Sequence, residues 1–193
     1  ATNTFRKIKD QGQFMRAATA ALTRPIEIIS GTEEANLVFL GIRYDVGATT
    51  QPLLAIDVGG GSTEIAWGRG DVPTMSESVQ VGCVALSQRH FADGKISKKR
   101  FMAATLDAAI ELEPIAHRFA IQASDVFASS GTALAIEQIG REHDWCDEGI
   151  NRTVLKRLRK KLIEAGHIDS LELPGLTDSR RPVIAGGVAA MTG

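Results

Sequence analysis

Cysteine is scarce in this chain: 193 residues contain two. Cys83 and Cys146 stand alone and far apart, in no zinc-binding spacing and no redox pair. The sequence therefore offers neither a thiolate metal site nor a disulfide framework, and it reads as a reduced, cytoplasmic protein. An excess of one charge is also missing. Lys and Arg number 22 against 23 Asp and Glu, a formal net charge of -1, which argues against bulk nucleic-acid binding. No apolar run approaches membrane-spanning length and no signal-peptide pattern opens the chain, so no membrane association is expected. The four histidines, His90, His117, His143 and His167, have no ligand spacing. There is no internal repeat, no low-complexity segment and no initiator methionine. Ala1 falls inside what reads as an ordered segment, which predicts a piece of a longer protein.

What is present is an apolar content of 44%, enough to build a core for one large domain or one and a half small ones. The informative run is Leu53-Leu54-Ala55-Ile56-Asp57-Val58-Gly59-Gly60-Gly61-Ser62-Thr63-Glu64. Its apolar half predicts a short buried strand, with Asp57 at the exposed end. Three successive glycines let the backbone approach a ligand closely and aim several N–H groups at one point, an arrangement that suits phosphate. Ser62 and Thr63 add hydroxyls. Asp57 and Glu64 can hold a hard cation such as Mg²⁺, directly or through water.

Two familiar phosphate loops do not fit. A Walker loop requires Gly-Lys-Ser/Thr leading into a helix, and this loop has no lysine. The dinucleotide fingerprint requires a third glycine where Glu64 stands. Ile65-Ala66-Trp67 follow, apolar and poor in charge, so a second strand is predicted. A plain turn is the alternative, but it seldom needs three glycines between two carboxylates.

Elsewhere the pattern predicts helix over Phe5 to Leu22, interrupted at Gly12, then a strand at Ile26–Ile29. A helix capped by Ser30 or Thr32 follows, with Glu33 and Glu34 in its first turn, loosening between Gly41 and Gly47. After the hairpin come a strand at Ser76–Val81 and a helix at Val84–Phe91. A long amphipathic helix runs from Ser97 to Phe119. Further on are a strand at Asp125–Ala128, a turn at Ser129–Thr132, helices at Ala133–Ile139 and Thr153–Ala165, a loop over Leu173–Arg181 and a last short helix. Trp67 and Trp145 read as packing residues.

Five landmarks stand in one order: Ala1-Thr2-Asn3-Thr4-Phe5-Arg6, Ile29-Ser30-Gly31-Thr32-Glu33-Glu34-Ala35, the Asp57-to-Glu64 loop, Ala128-Ser129-Ser130-Gly131-Thr132, and Arg181-Pro182-Val183-Ile184-Ala185-Gly186-Gly187. Together they resemble the exopolyphosphatase/guanosine pentaphosphate phosphohydrolase (Ppx/GppA phosphatase) family over nearly the whole chain. That resemblance implies an α/β fold of the ribonuclease H-like actin/sugar-kinase/chaperone-ATPase superfamily, a mixed sheet flanked by helices, with a cleft between two lobes. It implies Mg²⁺-dependent removal of terminal phosphate from inorganic polyphosphate or guanosine pentaphosphate, and a homodimer. By position, Glu34 matches the general base and Arg6 the arginine that neutralises phosphate charge. Gly59, Gly60, Gly61, Ser62 and Thr63 match the phosphate loop, while Asp57 and Glu64 match the metal-organising carboxylates. Gly131, Thr132, Gly186 and Gly187 lie near the cleft in such folds without an assigned role.

The family's opening phosphate loop, Asp-x-Gly-Ser-Asn-Ser, is found nowhere in this sequence. Residues 1–30 are accordingly expected to be a remnant of the first lobe and hinge, and residues 31–193 the second lobe, inactive without its partner lobe. A superfamily kinase or ATPase with a nucleoside pocket around Gly186-Gly187, or a non-catalytic phosphate- or alarmone-binding module, are the alternative readings. Two basic clusters, Lys98-Lys99-Arg100 and the run from Arg152 to Lys161, read either as solvated helix faces or as tracks for a long polyanion.

Overall fold

The computed structural model describes residues 10–47, 50–119 and 125–193. Helix α1 spans Gln11–Leu22; Asp10 caps it by accepting from the Gln13 amide at 2.8 Å, and it buries none of its residues. The expected strand at Ile26–Ile29 does not form: residues 25–30 run without helix or strand assignment. Alternating side chains alone do not make a strand; a ladder partner is required, and no described segment supplies one.

Helix α2 covers Gly31–Val46. Ser30 accepts from the Glu33 amide and Glu33 returns the bond to the Ser30 amide at 2.7 Å, a reciprocal capping box that satisfies two otherwise orphaned donors. The helix continues through Gly41 instead of loosening there. Ala35, Phe39 and Arg43, one turn apart, bury a single stripe, and that burial outweighs the roughly 1 kcal/mol that glycine costs in a helix.

Four strands follow: β1 Leu53–Val58, β2 Thr63–Arg69, β3 Val72–Val79 and, after two helices, β4 Asp125–Ser129. The sheet order is β3-β2-β1-β4, antiparallel within the first three and parallel between β1 and β4. Helix α3 is Cys83–His90, α4 Lys98–Phe119, α5 Gly131–Glu142, α6 Arg152–Ala165 and α7 Ile184–Ala190. This matches the predicted order closely. The main shifts are at β3, which runs Val72–Val79 where a strand was expected at Ser76–Val81, and at α5, which begins two residues before Ala133, inside the expected turn.

The sheet divides the core in two. One face packs on α2 through Ala35, Phe39, Leu53, Ala55 and Ala66. The other packs Val58 and Ile56 against a larger cluster drawn from α3 to α7, with Phe101, Ile136, Ile139, Leu158, Leu162 and Val188 among its members. Helix α7 is buried along its whole length. A Cβ on Gly186 would lie 2.3 Å from the Cys83 carbonyl oxygen, so only glycine lets α7 cross α3 so closely.

Because successive strand residues face opposite sides, the α2 face has a fixed composition. It carries Leu53, Ala55 and Asp57 on β1, opposite Ala66 and Glu64 on β2, opposite Ser76 and Ser78 on β3. That face is apolar at one end and polar at the hairpin end. The N-terminal half of α2 lies against this end through Asn36: Ser76 Oγ donates to Asn36 Oδ1 at 2.5 Å.

Candidate active site

Asp57 is the penultimate residue of β1, paired across the ladder with Glu64 on one side and Ser129 on the other. Its carboxyl is pushed up from 3.8 to about 6, first by desolvation, then by the charges of Glu64 and Glu34. Its Oδ1 is buried and has no hydrogen-bond partner among the described residues. Glu64 is 2% exposed, and its Oε1 accepts from Ser78 Oγ at 2.8 Å. The charges of Glu34 on α2 and Glu64 on β2 thus both reach Asp57 on β1.

The two acids at the start of α2 divide their tasks. Glu33 turns back to cap the helix, and the Ser30 amide and hydroxyl lower its pKa. Glu34 is the one whose charge reaches Asp57. Like-charge repulsion at this site acts on Asp57.

The glycine hairpin is clamped from beneath. The Gly59 amide closes the turn onto the Ser62 carbonyl at 2.9 Å. The Gly59 carbonyl accepts from the Cys83 amide, and the Gly60 carbonyl from those of Val84 and Ala85, at 2.8–2.9 Å. Helix α3 has no side-chain cap; the hairpin carbonyls take its orphaned N-terminal donors instead. A Cβ on Gly82 would sit 2.6 Å from Gly60 C and Gly61 N, so the loop can seat only over glycine. The amides of Gly60, Gly61 and Ser62 donate to no acceptor among the described residues.

Two expected phosphate donors need correction. The Gly59 amide is spent closing the turn, and the Thr63 hydroxyl donates to the Val81 carbonyl at 2.7 Å in a buried bond. Both hold the hairpin together. Arg6 lies outside the described residues.

A second feature escaped the sequence reading. At the C-terminal end of β4, beside Asp57, Ser130 adopts φ 129, ψ 156, a region almost reserved for glycine and strained for any other residue. Its Oγ caps α5 by accepting from the Ala133 amide at 3.2 Å. Over this helix start lies Arg180: a Cβ on Gly131 would be 2.0 Å from its Nη2. Arg180 has no acidic partner among the described residues, whereas Arg181 reaches Asp178 at 3.5 Å and the Leu171 carbonyl at 2.5 Å. A guanidinium held against a helix N-terminus is an unbalanced concentration of positive charge. The signal in sequence was faint: a glycine at a helix start and an Arg-Arg pair fifty residues away. Gly186 and Gly187 are packing residues. A Cβ on Gly187 would strike Thr132 Cγ2 at 2.5 Å, and both glycines are buried in α7.

A three-stranded antiparallel start, a glycine-turn hairpin and a parallel fourth strand entering a helix make a mixed sheet flanked by helices, the ribonuclease H-like, actin-like type of fold. Within it, the chain belongs to the Ppx/GppA phosphatase family, whose model matches residues 1–193. Among solved structures it is similar to an exopolyphosphatase-like protein, at 24% identity and a TM-score of 0.83, over 100% of this chain and 63% of that one. It is also similar to an exopolyphosphatase from Cytophaga hutchinsonii (19%, TM-score 0.78, 97% of this chain, 63% of that). For the Aquifex aeolicus PPX-GPPA enzyme the figures are 18%, 0.77, 97% and 64%. At these identities the likeness is one of fold. The chain spans less than two thirds of each of the three.

Proposed function

We propose that the intact protein is a phosphoanhydride hydrolase that removes the terminal phosphate of inorganic polyphosphate or guanosine pentaphosphate. The observation that carries this reading is Asp57: a carboxylate oxygen buried without a partner among the described residues, and within reach of the charges of two further carboxylates. Such a group is costly unless a cation completes it. No three His, Cys, Asp or Glu side chains among the described residues close on one point. Asp57 and Glu64 would therefore supply one or two ligands to Mg²⁺, with phosphate oxygens and water filling the rest, as that ion prefers. When bound, Mg²⁺ offsets the charge that builds on the phosphoanhydride oxygens.

The chain's own groups do the remaining work. The amides of Gly60, Gly61 and Ser62 hold non-bridging oxygens of the terminal phosphate. Arg180, with the N-terminus of α5, holds the neighbouring phosphate and fixes the line of attack. Glu34 accepts a proton from the attacking water. The water oxygen bonds to the terminal phosphorus, the bridging P–O bond breaks, and its electron pair leaves on the shortened chain. In this reading residues 1–30 belong to the first lobe and hinge and residues 31–193 to the second lobe. An α1 without a single buried residue supports that division. The protein acts in the cytoplasm, in keeping with two free thiols and with no helix among the described residues long and apolar enough to cross a membrane. The kinase alternative needs an open nucleoside pocket at Gly186-Gly187, and the closure of those glycines against α3 and Thr132 removes its support.

The test is phosphate release by the intact protein from both substrates side by side, with Mg²⁺ and with chelator. Release from at least one, abolished by Glu34→Gln, is expected. A Glu34→Gln variant at full rate removes Glu34 as the base, and no release from either substrate overturns the reading.

A further inference from the structure

Helix α6 carries Arg152, Lys156, Arg157, Arg159, Lys160 and Lys161 against one acid, Glu164, in a protein of nearly balanced charge. Among the described residues Lys160 pairs with Glu164 at 3.6 Å, and none of the helix's other cations has an acidic partner. Three of them, at i, i+4 and i+7, share one flank: Arg152, Lys156 and Arg159 line a depression of about 350 Å³ floored by Leu155, Met191 and Thr192. No carboxylate enters that lining. Arg159 is held in place, its guanidinium 5.3 Å from the centroid of the buried Phe101 ring, a cation–π contact that fixes its direction.

The spacing identifies the ligand class. Seven residues of helix extend about 10 Å, too far for one phosphate to touch all three cations but well suited to a chain of linked phosphates. The depression offers no aromatic face on which a base could stack, which disfavours single-stranded nucleic acid. We propose that this flank of α6 is an accessory site for the body of an inorganic polyphosphate chain, separate from the hairpin that holds its end. The choice of ligand rests on the hydrolase reading above, but the site can be tested without hydrolysis.

The experiment is binding of long-chain sodium polyphosphate to the intact protein in chelator, by titration at several salt concentrations. The variants are Arg152→Gln/Lys156→Gln, both exposed positions on this flank, and Arg157→Gln/Lys161→Gln, exposed on the opposite flank and removing the same charge. The first pair is expected to weaken long-chain binding about tenfold at low salt and to flatten the log K against log salt slope by roughly 1.4, at about 0.7 for each of the two charges lost. The second pair should leave both nearly unchanged, and tripolyphosphate binding should be insensitive to either. Equal losses in the two pairs mean diffuse electrostatics and overturn the site, as does an unchanged affinity in the first. A single-stranded RNA that binds as tightly and loses as much in the first pair overturns the polyphosphate assignment. Failure of phosphate release with this binding pattern intact would count against the hydrolase reading alone.

Discussion

Two loops emerge at the same end of the sheet, after the parallel neighbours β1 and β4, and they handle charge in opposite ways. The Gly59–Ser62 hairpin lies over carboxylates, and its carbonyls are drawn onto the N-terminus of α3. The Ser129–Gly131 connection has no acid, bends through a strained serine, and presents the N-terminus of α5 beneath Arg180. Both stand at a helix N-terminus, which is often enough to nominate an anion site. Here that rule separates the two cases. The first three amides of α3 are already satisfied by the protein, so the helix end secures the loop and leaves the loop's own amides for a ligand. The amides of Gly131 and Thr132 at the start of α5 have no acceptor among the described residues. In the proposed hydrolase the first loop would take a cation and the phosphate that accompanies it, the second negative charge alone.

The strongest way to break this contrast is at the acids. Asp57→Asn and Glu34→Gln should each lower kcat in Mg²⁺ by about a thousandfold or more, the scale for losing a group that acts in the transition state, with the circular dichroism spectrum unchanged. Asp57→Asn has a second signature. The folded pKa of about 6 lies above the unfolded 3.8, so the native state binds the extra proton between those values. Stability in chelator should therefore fall as pH rises from about 4 to 6 and stay low above that. Replacing Asp57 by Asn should recover on the order of 2 kcal/mol at pH 7 and almost nothing at pH 4. Urea melts at the two pH values would show it; a variant destabilised at pH 7 would refute the crowded-carboxylate account.

At the other loop, Arg180→Gln should cost roughly a hundredfold in kcat/KM while leaving the midpoint of urea unfolding near wild type, since Arg180 holds no ion pair among the described residues. Gly131→Ala sharpens the point. Its methyl would overlap a flexible guanidinium rather than backbone, so it should push Arg180 aside, copy part of the Arg180→Gln defect and spare the fold. If Gly131→Ala kept full activity while Arg180→Gln lost it, the guanidinium would have to act from somewhere other than the α5 terminus.

How much of this could be read from residues alone differs between the two loops for a physical reason. The hairpin is a local object: strand, turn and strand lie within seventeen residues, so Asp57, the glycines and Glu64 declare it by spacing. The cap of α2 was legible in part for the same reason: Ser30 was one of two candidates, but the return bond from Glu33, three residues on, was not read from the sequence. The second loop is non-local. Arg180 reaches Gly131 only after α5, α6 and a long loop have packed, and no periodicity encodes that meeting. The strand expected at Ile26–Ile29 failed on the same ground, because a ladder needs a partner that the local pattern cannot guarantee. Gly59 and Thr63 show a subtler limit. Their residue types suit phosphate, but an amide that closes its own turn and a hydroxyl that meets the Val81 carbonyl are spent, and sequence does not reveal which donors the fold consumes.

Gly82→Ala tests the clamp beneath the hairpin. Its Cβ would meet backbone atoms of Gly60 and Gly61 at 2.6 Å, which cannot rotate away, so a destabilisation of about 1–3 kcal/mol is expected together with a raised KM as the loop amides shift.

Thr63→Val should have the smallest effect, and it discriminates most finely. Valine keeps the shape and β-propensity of threonine and deletes one hydroxyl. If that hydroxyl served phosphate, KM would rise and stability would hold. The buried bond to the Val81 carbonyl predicts the reverse. Losing it strands one buried acceptor, so the chain should lose about 1–2 kcal/mol on unfolding, while kcat and KM stay within about twofold below the temperature at which the variant melts. Thr63→Ser, which retains the donor, should recover most of the lost stability. A variant that melts like wild type but binds substrate weakly would return Thr63 to the phosphate site.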